Sequence, residues 1–512
     1  MPSSRPDRAS VLARRRVWLA ASGLAMAVGA FAQPAASARA WSIQPSASVS
    51  QTFTDNYALS GIDPAGDAIT RLTAGVQVGA NAGLVRGHLD YKLSWLAYAR
   101  HNERNTYQNS LNTAFAADLV PGRMRVDVQG GISRSAISAF SAQPTQDGGA
   151  QTNSTELRRL NVTPSITGPL AGDLRYSGNL VLEASDARDT DLGDSSSATL
   201  GLHVEPVVRG VLRWSADGSM LRSDFKAGRA TSNDRLYGTG RWRIDSLDTE
   251  LTGSGGIEYS DMSSAARQRY TNWGLGATWA PSPRTTVAAQ YDDRFFGPSR
   301  RLSLDYRTAL TSWHVGKSRS LSTNGGQGEV GGQGTAFDLL YSQFASVLPD
   351  PAKRTDFVNA YLRSQGISPT AEPGFLRASV LVQDREEASM AYRAVRSTAV
   401  LTWSRTRSAR LTGQAGLADD LATSSEVMLQ GFSLNLAHRL TPESTVGMLL
   451  SRQNGSGSTG GQGNQQRQLN LHYALRPTAN SNVTLALSRI LATSFSAPYD
   501  ETALVVTLGY RF

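Results

Sequence analysis

The chain has 512 residues with a formal net charge of +9, 40% hydrophobic residues, 48 glycines and no cysteine. The absence of cysteine excludes disulfides, thiolate metal sites and a lipid-anchored N-terminal cysteine. Residues 1–40 contain six arginines and one aspartate, so most of the positive charge belongs to this segment. The small positive charge of the remaining chain does not favour a nucleic-acid ligand, and we expect none.

The N-terminus has the pattern of an export signal. Arg14, Arg15 and Arg16 precede an apolar run from 17 to 32, and Ala30-Phe31-Ala32 is a small-x-small cleavage site. We predict a secretory signal peptide over 1–32, with an alternative cut after Ala40. After this segment no apolar run reaches the ~18 residues that a spanning helix requires.

Strict alternation of apolar and polar residues begins soon after and recurs along the chain. Leu89, Tyr91, Leu93 and Trp95 alternate with Asp90, Lys92 and Ser94. A period of two predicts strands with one apolar and one polar face. Short turns at 79–83, 120–123, 168–173, 280–284 and 440–444 alternate with longer polar loops at 55–67, 140–153, 186–195, 226–233 and 453–465. Short connections at one end and long ones at the other are typical of outer-membrane barrels.

The predicted fold is therefore all-β, a large antiparallel transmembrane β-barrel over 41–512 with a short helical insert. The pattern contains about fifteen strands before residue 324 and eight after 373. An antiparallel single-chain barrel closes with an even number, so we predict 20–24 strands, with 382–395 the least certain stretch. Such a barrel would be integral to the bacterial outer membrane.

Residues 324–373 interrupt the strand pattern. A Gly-rich stretch, in which Gly326, Gly328 and Gly331 match a dinucleotide-binding pattern by chance, is followed by apolar residues at helical spacing. We predict a plug, cap or lid here, with Phe337, Leu340, Tyr341, Phe344, Phe357 and Tyr361 as gate candidates.

The polar faces of the strands supply the candidate lumen residues. Hydroxyl, amide, charged and aromatic groups together suit the passage of a hydrated chain. The candidates are Arg71, Asp90, Lys92, Arg125, Asp127, Tyr237, Arg241, Arg243 and Gln290. Any water-filled lumen is polar, however, and this simpler interpretation accounts for most of them.

The sequence contains little that indicates catalysis. The six histidines show no metal-ligand spacing within one element, so we expect no metal and no cofactor. His314 and Ser318 lie on one face of a predicted strand, and some outer-membrane hydrolases use a His–Ser pair facing the lipid. No third orienting group can be named. We therefore expect no enzyme, with a hydrolase as the third alternative.

The final strand, "ETALVVTLGYRF", places Leu504, Val506, Leu508, Tyr510 and Phe512 on one face. A terminal aromatic residue on the lipid face matches the signature recognised by barrel-assembly machinery in this class. We predict Tyr510 and Phe512 to be that assembly signal. A membrane barrel with this signal is expected to have outer-membrane lipid and the barrel-assembly machinery as partners.

Three stretches together resemble a known family. They are "WSIQPSASVSQTFTDN" (41–56), "WAPSPRTTVAAQYDDRFFGPSRRLSLDYRT" (279–308) and "LPDPAKRTDFVNAYLRSQGI" (348–367) followed by "FLRASVLVQ". The set resembles the outer-membrane β-barrel family associated with PEP-CTERM/exosortase systems in Gram-negative bacteria. That resemblance implies a porin-like, integral outer-membrane protein from exopolysaccharide loci, without catalytic residues.

The functional hypothesis is exopolysaccharide export across the outer membrane, with the polymer and periplasmic export components as partners. The alternative is a non-conducting structural or assembly barrel that anchors secretion or surface-protein machinery.

Overall fold

The computed structural model describes residues 40–141, 153–207, 210–323, 340, 341, 354, 358, 375–411, 419–458, 463–494 and 498–512. The predicted signal peptide therefore lies outside the described residues. Within them, no helix is long and apolar enough to cross a membrane.

Twenty-two strands account for most of the described chain. They are β1 Trp41–Thr54, β2 Asp67–Ala82, β3 Val85–Tyr98, β4 Thr106–Val120, β5 Met124–Ala136, β6 Ser154–Pro169, β7 Leu174–Ala187, β8 Ser195–Pro206, β9 Leu212–Phe225, β10 Thr231–Ile244, β11 Thr249–Ser260, β12 Gln268–Ser282, β13 Thr285–Arg294, β14 Gly297–Arg307, β15 Thr311–Ser322, β16 Leu381–Arg393, β17 Ser397–Arg410, β18 Glu426–Arg439, β19 Ser444–Gly457, β20 Gly463–Leu475, β21 Ser481–Ser494 and β22 Tyr499–Arg511. The short helical elements described from end to end are the 3₁₀ turns Asn102–Arg104 and Asp245–Leu247 and the α-helix Asp420–Thr423.

Each strand pairs antiparallel with the next, and β1 pairs with β22, so the sheet closes into a barrel. The seam runs from Ser46 opposite Arg511 to Thr54 opposite Ala503. Closure leaves no free sheet edge, which is the condition for strands to cross a bilayer. The predicted all-β barrel is confirmed, and its 22 strands fall within the predicted range.

The strand count of the second half needed correction. Fifteen strands precede residue 324 as predicted, but seven rather than eight follow 373. The uncertain stretch is one strand, β16, paired along its whole length with β15 and β17. The total number of strands is even because the first and last strands must run antiparallel for the barrel to close.

The connections divide between two ends of the barrel. The end that contains Trp41 and Phe512, here called the turn end, has connections of at most five residues. The opposite end, the loop end, has the long ones, among them 55–66, 137–153 and 323–380. Loops predicted at 226–233 and 453–465 are shorter, 226–230 and 458–462, because their flanking strands extend further. Phe295-Phe296 is an exception, a two-residue connection at the loop end.

Candidate functional site: lumen and loop-end mouth

The barrel wall has an apolar face and a polar face. Trp279, Val287, Leu304 and Val315 stand directly opposite one another across three strand ladders, so they share one face. Trp279, Leu304 and Val315 are 49%, 40% and 47% exposed. Large apolar side chains exposed on strand after strand around the barrel require a hydrocarbon surrounding, so this face is outward and the alternate positions line the lumen.

The chain forms a membrane-spanning β-barrel of the outer-membrane type. In such barrels the short turns are periplasmic and the longer loops extracellular, so we assign the loop end to the outside.

All nine lumen candidates lie at inward positions of their strands. Arg71 lies in the loop-end half of β2, and Asp90, Lys92, Tyr237 and Gln290 lie near mid-height. Arg125, Asp127, Arg241 and Arg243 lie toward the turn end.

The mid-height group on β2 and β3 forms a polar network. Gln77 donates from Nε2 to Asp90 Oδ2 at 3.1 Å, and Lys92 Nζ lies 3.7 Å from the same oxygen. Toward the turn end, Arg125 holds Asp127 through Nε and Nη2 at 2.7–3.0 Å. These pairs balance charge along this part of the wall.

The wall around β10 combines cationic and aromatic groups. The Arg235 guanidinium lies 4.0 Å above the Tyr237 ring. Arg241 stands directly opposite Arg213 on β9, while Arg243 donates to Asp245 at 2.7 Å. On β13, Gln290 donates to Asp292 at 2.8 Å. Guanidinium and phenol groups side by side can bind hydroxyls, carboxylates and sugar faces.

Residues 375–380, here called the crossing segment, run through the loop-end mouth ahead of β16. Leu376 N donates to Ala136 O of β5 at 3.2 Å, and Gly193 N of the β7–β8 loop donates to Arg377 O at 3.1 Å. Ala378 N donates to Asp419 Oδ2 at 3.2 Å. Because these partners come from distant parts of the barrel circumference, the segment ties several loops together inside the mouth.

Apolar side chains fill the space around the crossing segment. Three clusters contain its residues, with Leu376 against Leu157, Phe375 against Leu381, and Val380 against Phe225. Their buried members are Ala139, Phe375, Leu381, Leu421, Val427 and Leu429; Phe225, Met262, Phe295, Phe296, Val380 and Val382; and Leu157, Ala187 and Leu376. The mouth is thus packed like a small hydrophobic core, below which the lumen wall is polar.

One cation is buried in this apolar layer. Arg377 is 5% exposed, and its Nη2 donates to Ser322 Oγ. Burial lowers the pKa of Arg377 to about 10, with nearby Arg159 lowering it further and Asp419 opposing the shift. The Arg377 guanidinium stays charged at neutral pH. Its removal from water therefore raises the free energy of the packed mouth.

Two aspartates connect the crossing segment to the β5–β6 and β17–β18 connections. Asp419, fully buried, pairs with Arg410. Asp420 accepts from Ser138 Oγ at 2.7 Å and from Ala139 N at 2.6 Å. Burial raises the pKa of the Asp420 carboxyl, the Ala139 and Ser138 hydrogen bonds oppose the rise, and Asp419 adds to it.

The Thr54-Asp55-Asn56 triplet closes the seam at the loop end. Thr54 Oγ1 donates to Glu501 Oε1 at 2.7 Å, and Asp55 Oδ1 accepts from Thr502 N at 2.7 Å. Asn56 donates to Asp500 O at 2.9 Å. These bonds join the start of the first loop to β22.

The "RFFGPS" stretch, 294–299, forms the β13–β14 hairpin tip. Gly297 has φ +88°, a left-handed conformation that glycine adopts without strain. Phe295 and Phe296 pack in the cluster that contains Val380. Arg294 pairs with Glu258, whose side chain is fully buried. Parts of all three resembling stretches therefore lie at the loop end, and those of the second and third share the cluster that contains Phe295 and Val380.

Of the six gate candidates, only Leu340 and Tyr341 lie among the described residues, and both are helical. Leu340 is fully buried, and the Arg354 guanidinium lies 4.5 Å from the Tyr341 ring centre. Phe337, Phe344, Phe357 and Tyr361 lie outside the described residues.

The possible His314–Ser318 pair does not face the lipid. Both residues point into the lumen, and Ser318 lies four positions along the strand from His314, a separation of about 13 Å. The His314 ring bridges two carboxylates, with Nδ1 2.7 Å from Asp305 Oδ1 and Nε2 3.3 Å from Glu387 Oε1. With both nitrogens engaged, His314 is not arranged to activate Ser318.

Tyr510 lies on the outward face of β22, and its ring contacts the Phe512 ring edge-on with centres 5.0 Å apart. Phe512 N donates to Pro45 O at 3.0 Å, which fixes it beside β1. Their role in assembly stays a prediction.

Sequence reasoning missed the packed mouth. Phe295-Phe296 and Phe375-Leu376 are apolar pairs in connections between strands. Such pairs were the available indication of connections folded inward. Arg159 and Arg377 gave no such indication, because their proximity depends on strands far apart in sequence.

No protein-family model matches the chain, and no curated protein matches it. Among solved structures it is similar to the FrpB iron transporter of Neisseria meningitidis (F5-1 variant), with 10% identity, a TM-score of 0.48, and coverage of 92% of this chain and 82% of that one. It is also similar to OccK5 (OpdH) of Pseudomonas aeruginosa, with 10% identity, a TM-score of 0.33, and coverage of 92% and 98%. A third similar structure is a mutant of the ferric enterobactin receptor PfeA of Pseudomonas aeruginosa, with 11% identity, a TM-score of 0.42, and coverage of 92% of this chain and 80% of that one.

Proposed function

We propose that this barrel is a conduit through which an extracellular polysaccharide crosses the outer membrane. The observation that carries the proposal is the lumen wall, which presents arginine, carboxylate, amide and tyrosine groups from mid-height to the turn end. A hydrated sugar chain can exchange hydrogen bonds with such groups as it moves. The resemblance to barrels of exopolysaccharide loci supports the same substrate class.

Transport in this proposal is passive. Periplasmic export components deliver the chain to the turn end, and the inner-membrane machinery supplies the energy. The mouth layer and the 324–373 insert restrict leakage when no polymer is present. The crossing segment is the element that must shift, because it joins the loops that fill the mouth.

The test in cells is deletion of the gene, with polysaccharide measured separately at the cell surface and in the periplasm. Loss from the surface with periplasmic accumulation is the expected result. Unchanged surface polymer would refute the conduit function.

The test in vitro is conductance of the purified protein in planar bilayers, with and without residues 324–373. We expect the shortened protein to conduct ions. A folded, inserted protein that stays silent in both forms would contradict a conduit.

A second function is favoured by one observation, the hydrophobic packing of the mouth. A barrel closed by apolar clusters could be a non-conducting anchor for secretion or surface-protein machinery. That function predicts partners bound at the turn end and no conductance when the insert is removed. Catalysis is not part of either proposal, and a Ser318→Ala variant with unchanged polymer phenotype would agree with this.

A further inference from the structure

Charged residues on the outward face are distributed unevenly between the two ends. Every outward Asp, Glu, Lys or Arg of the described strands lies within five positions of its strand's loop end. They are Arg134, Glu156, Arg158, Asp186, Arg222, Asp224, Asp234, Arg269, Asp293, Arg300, Lys317, Arg319, Asp384, Glu386, Arg405, Arg407, Glu426, Arg452, Arg467, Arg489 and Asp500. The turn-end half of the same face has none in the described strands.

Most of these charges are balanced by a neighbour. Lys317 pairs with Glu386 at 2.7 Å, and Arg407 pairs with Glu426 at 2.9 Å. Such cross-strand pairs are the ordinary way to place charge on a sheet surface.

The sector formed by β19, β20 and β21 differs. No Asp or Glu occurs in the sequence between Glu443 and Asp500. Arg452 and Arg467, both exposed, stand directly opposite each other on β19 and β20. Like charges placed opposite each other destabilise a sheet, so this pair is unfavourable without an anion.

The neighbours of the pair do not neutralise it. Among the described residues, Arg452 donates to two neutral amide oxygens, Asn454 Oδ1 and Gln465 Oε1, each at 3.4 Å. With its amide turned, Gln465 instead accepts from Arg467 at 2.9 Å. One neutral amide thus lies between two guanidiniums. Arg489, which pairs with Asp500 at 2.5 Å, extends the sector on β21.

The surface toward the turn end from the pair is apolar. Leu450 and Leu469 stand opposite each other there, 41% and 37% exposed, with Leu487 beside them at 47%. Two guanidiniums above a hydrocarbon-facing surface match an amphiphile with an anionic head and acyl chains. Guanidinium binds phosphate through paired hydrogen bonds.

We propose that Arg452 and Arg467, with Gln465 between them, form a binding site for the phosphate of a phosphorylated glycolipid in the outer leaflet. The loop-end position assigns the site to the outer leaflet, where glycolipid of the lipid A type carries sugar-linked phosphates. The sector would hold one such lipid against β19–β21, independently of what passes through the lumen.

The test is native mass spectrometry of the purified barrel in detergent, titrated separately with diphosphorylated lipid A, its dephosphorylated form and phosphatidylglycerol. We expect the protein to retain diphosphorylated lipid A in preference to the other two. The double variant Arg452→Gln/Arg467→Gln should lose at least about tenfold of that retention, equivalent to 1.4 kcal/mol.

Arg269→Gln is the matched control, because Arg269 is also outward, exposed and near the loop end but stands opposite Tyr259 rather than another arginine. It should bind as the wild type does. Equal retention of lipid A by the double variant and the wild type would overturn the site. Equal binding of phosphatidylglycerol by the wild type would overturn the glycolipid assignment. Heat-dependent gel migration verifies that each variant is folded.

Discussion

At the scale of single residues, close approach of the neighbouring strand β10 leaves room only for glycine at position 256 of β11. A Cβ added to Gly256 would lie 2.1 Å from Leu236 O and 2.6 Å from Tyr237 Cβ. Its neighbour Gly255, on the outward face, would meet nothing closer than Asn272 O at 4.0 Å. The two adjacent glycines of β11 therefore have different reasons to be there.

We predict that Gly256→Ala destabilises the barrel by about 1–3 kcal/mol, because backbone atoms of β10 must shift. Gly255→Ala, the matched control, should be close to neutral. Urea unfolding in detergent, followed by tryptophan fluorescence, measures both. Equal midpoints for the two variants would contradict the prediction.

We predict that the Asp420 carboxyl makes docking of the β5–β6 connection depend on pH. Its pKa is raised chiefly by burial, so ionisation is disfavoured when 138–139 is docked on it. The docked state is therefore most favourable below the ordinary pKa of an aspartate, about 3.9, and weakens as pH rises through the raised pKa.

Hydrogen–deuterium exchange of residues 137–141, corrected for intrinsic rates, should show stronger protection at pH 4 than at pH 7. Asp420→Asn keeps the shape without the charge and should remove this difference. A pH dependence that persists in Asp420→Asn would assign it to another group.

At the scale of elements, the crossing segment packs in the mouth between connections from distant parts of the barrel. Leu376 is fully buried against Leu157 and Ala187, and its backbone is bonded to the end of β5. Six residues thereby link the β5–β6, β7–β8 and β17–β18 connections.

We predict that Leu376→Asp opens the mouth, because a buried carboxylate without a partner costs about 2 kcal/mol or more. That cost corresponds to a rise of more than about tenfold in the open fraction, measured as channel openings in planar bilayers. Val395→Asp is the control, since Val395 is 87% exposed in a turn-end connection. If folded Leu376→Asp protein opens no more often than the control, the crossing segment is not the closure.

At the scale of the whole molecule, the barrel exists only if the first and last strands pair. Ser50 and Thr507 stand directly opposite across the seam, and their hydroxyls are 2.9 Å apart. Because the chain has no cysteine, introduced cysteines report this register without interference.

We predict that Ser50→Cys/Thr507→Cys forms a disulfide on oxidation, since directly opposite Cβ atoms are close enough to bridge. Ser50→Cys/Ala503→Cys, displaced by four residues along β22, should not. Mobility on non-reducing gels with mass spectrometry distinguishes them. Cross-linking in the displaced pair would mean a different seam register.

The amino-acid sequence alone determined the barrel class, the two faces of each strand and the turn-end connections. These features are local, since a period of two and turn residues such as Gly122 appear within a few positions. Fifteen strands before residue 324 followed from the same local pattern, and all nine candidate lumen residues lie on inward faces.

Tertiary structure alone decided what closes the mouth and how charges are partnered. Leu376 meets Leu157, Glu258 meets Arg294, and Arg452 meets Arg467. The physical reason is register: which residues of separate strands stand opposite each other depends on the alignment of the closed sheet, and a shift by one position would exchange the lipid and lumen faces.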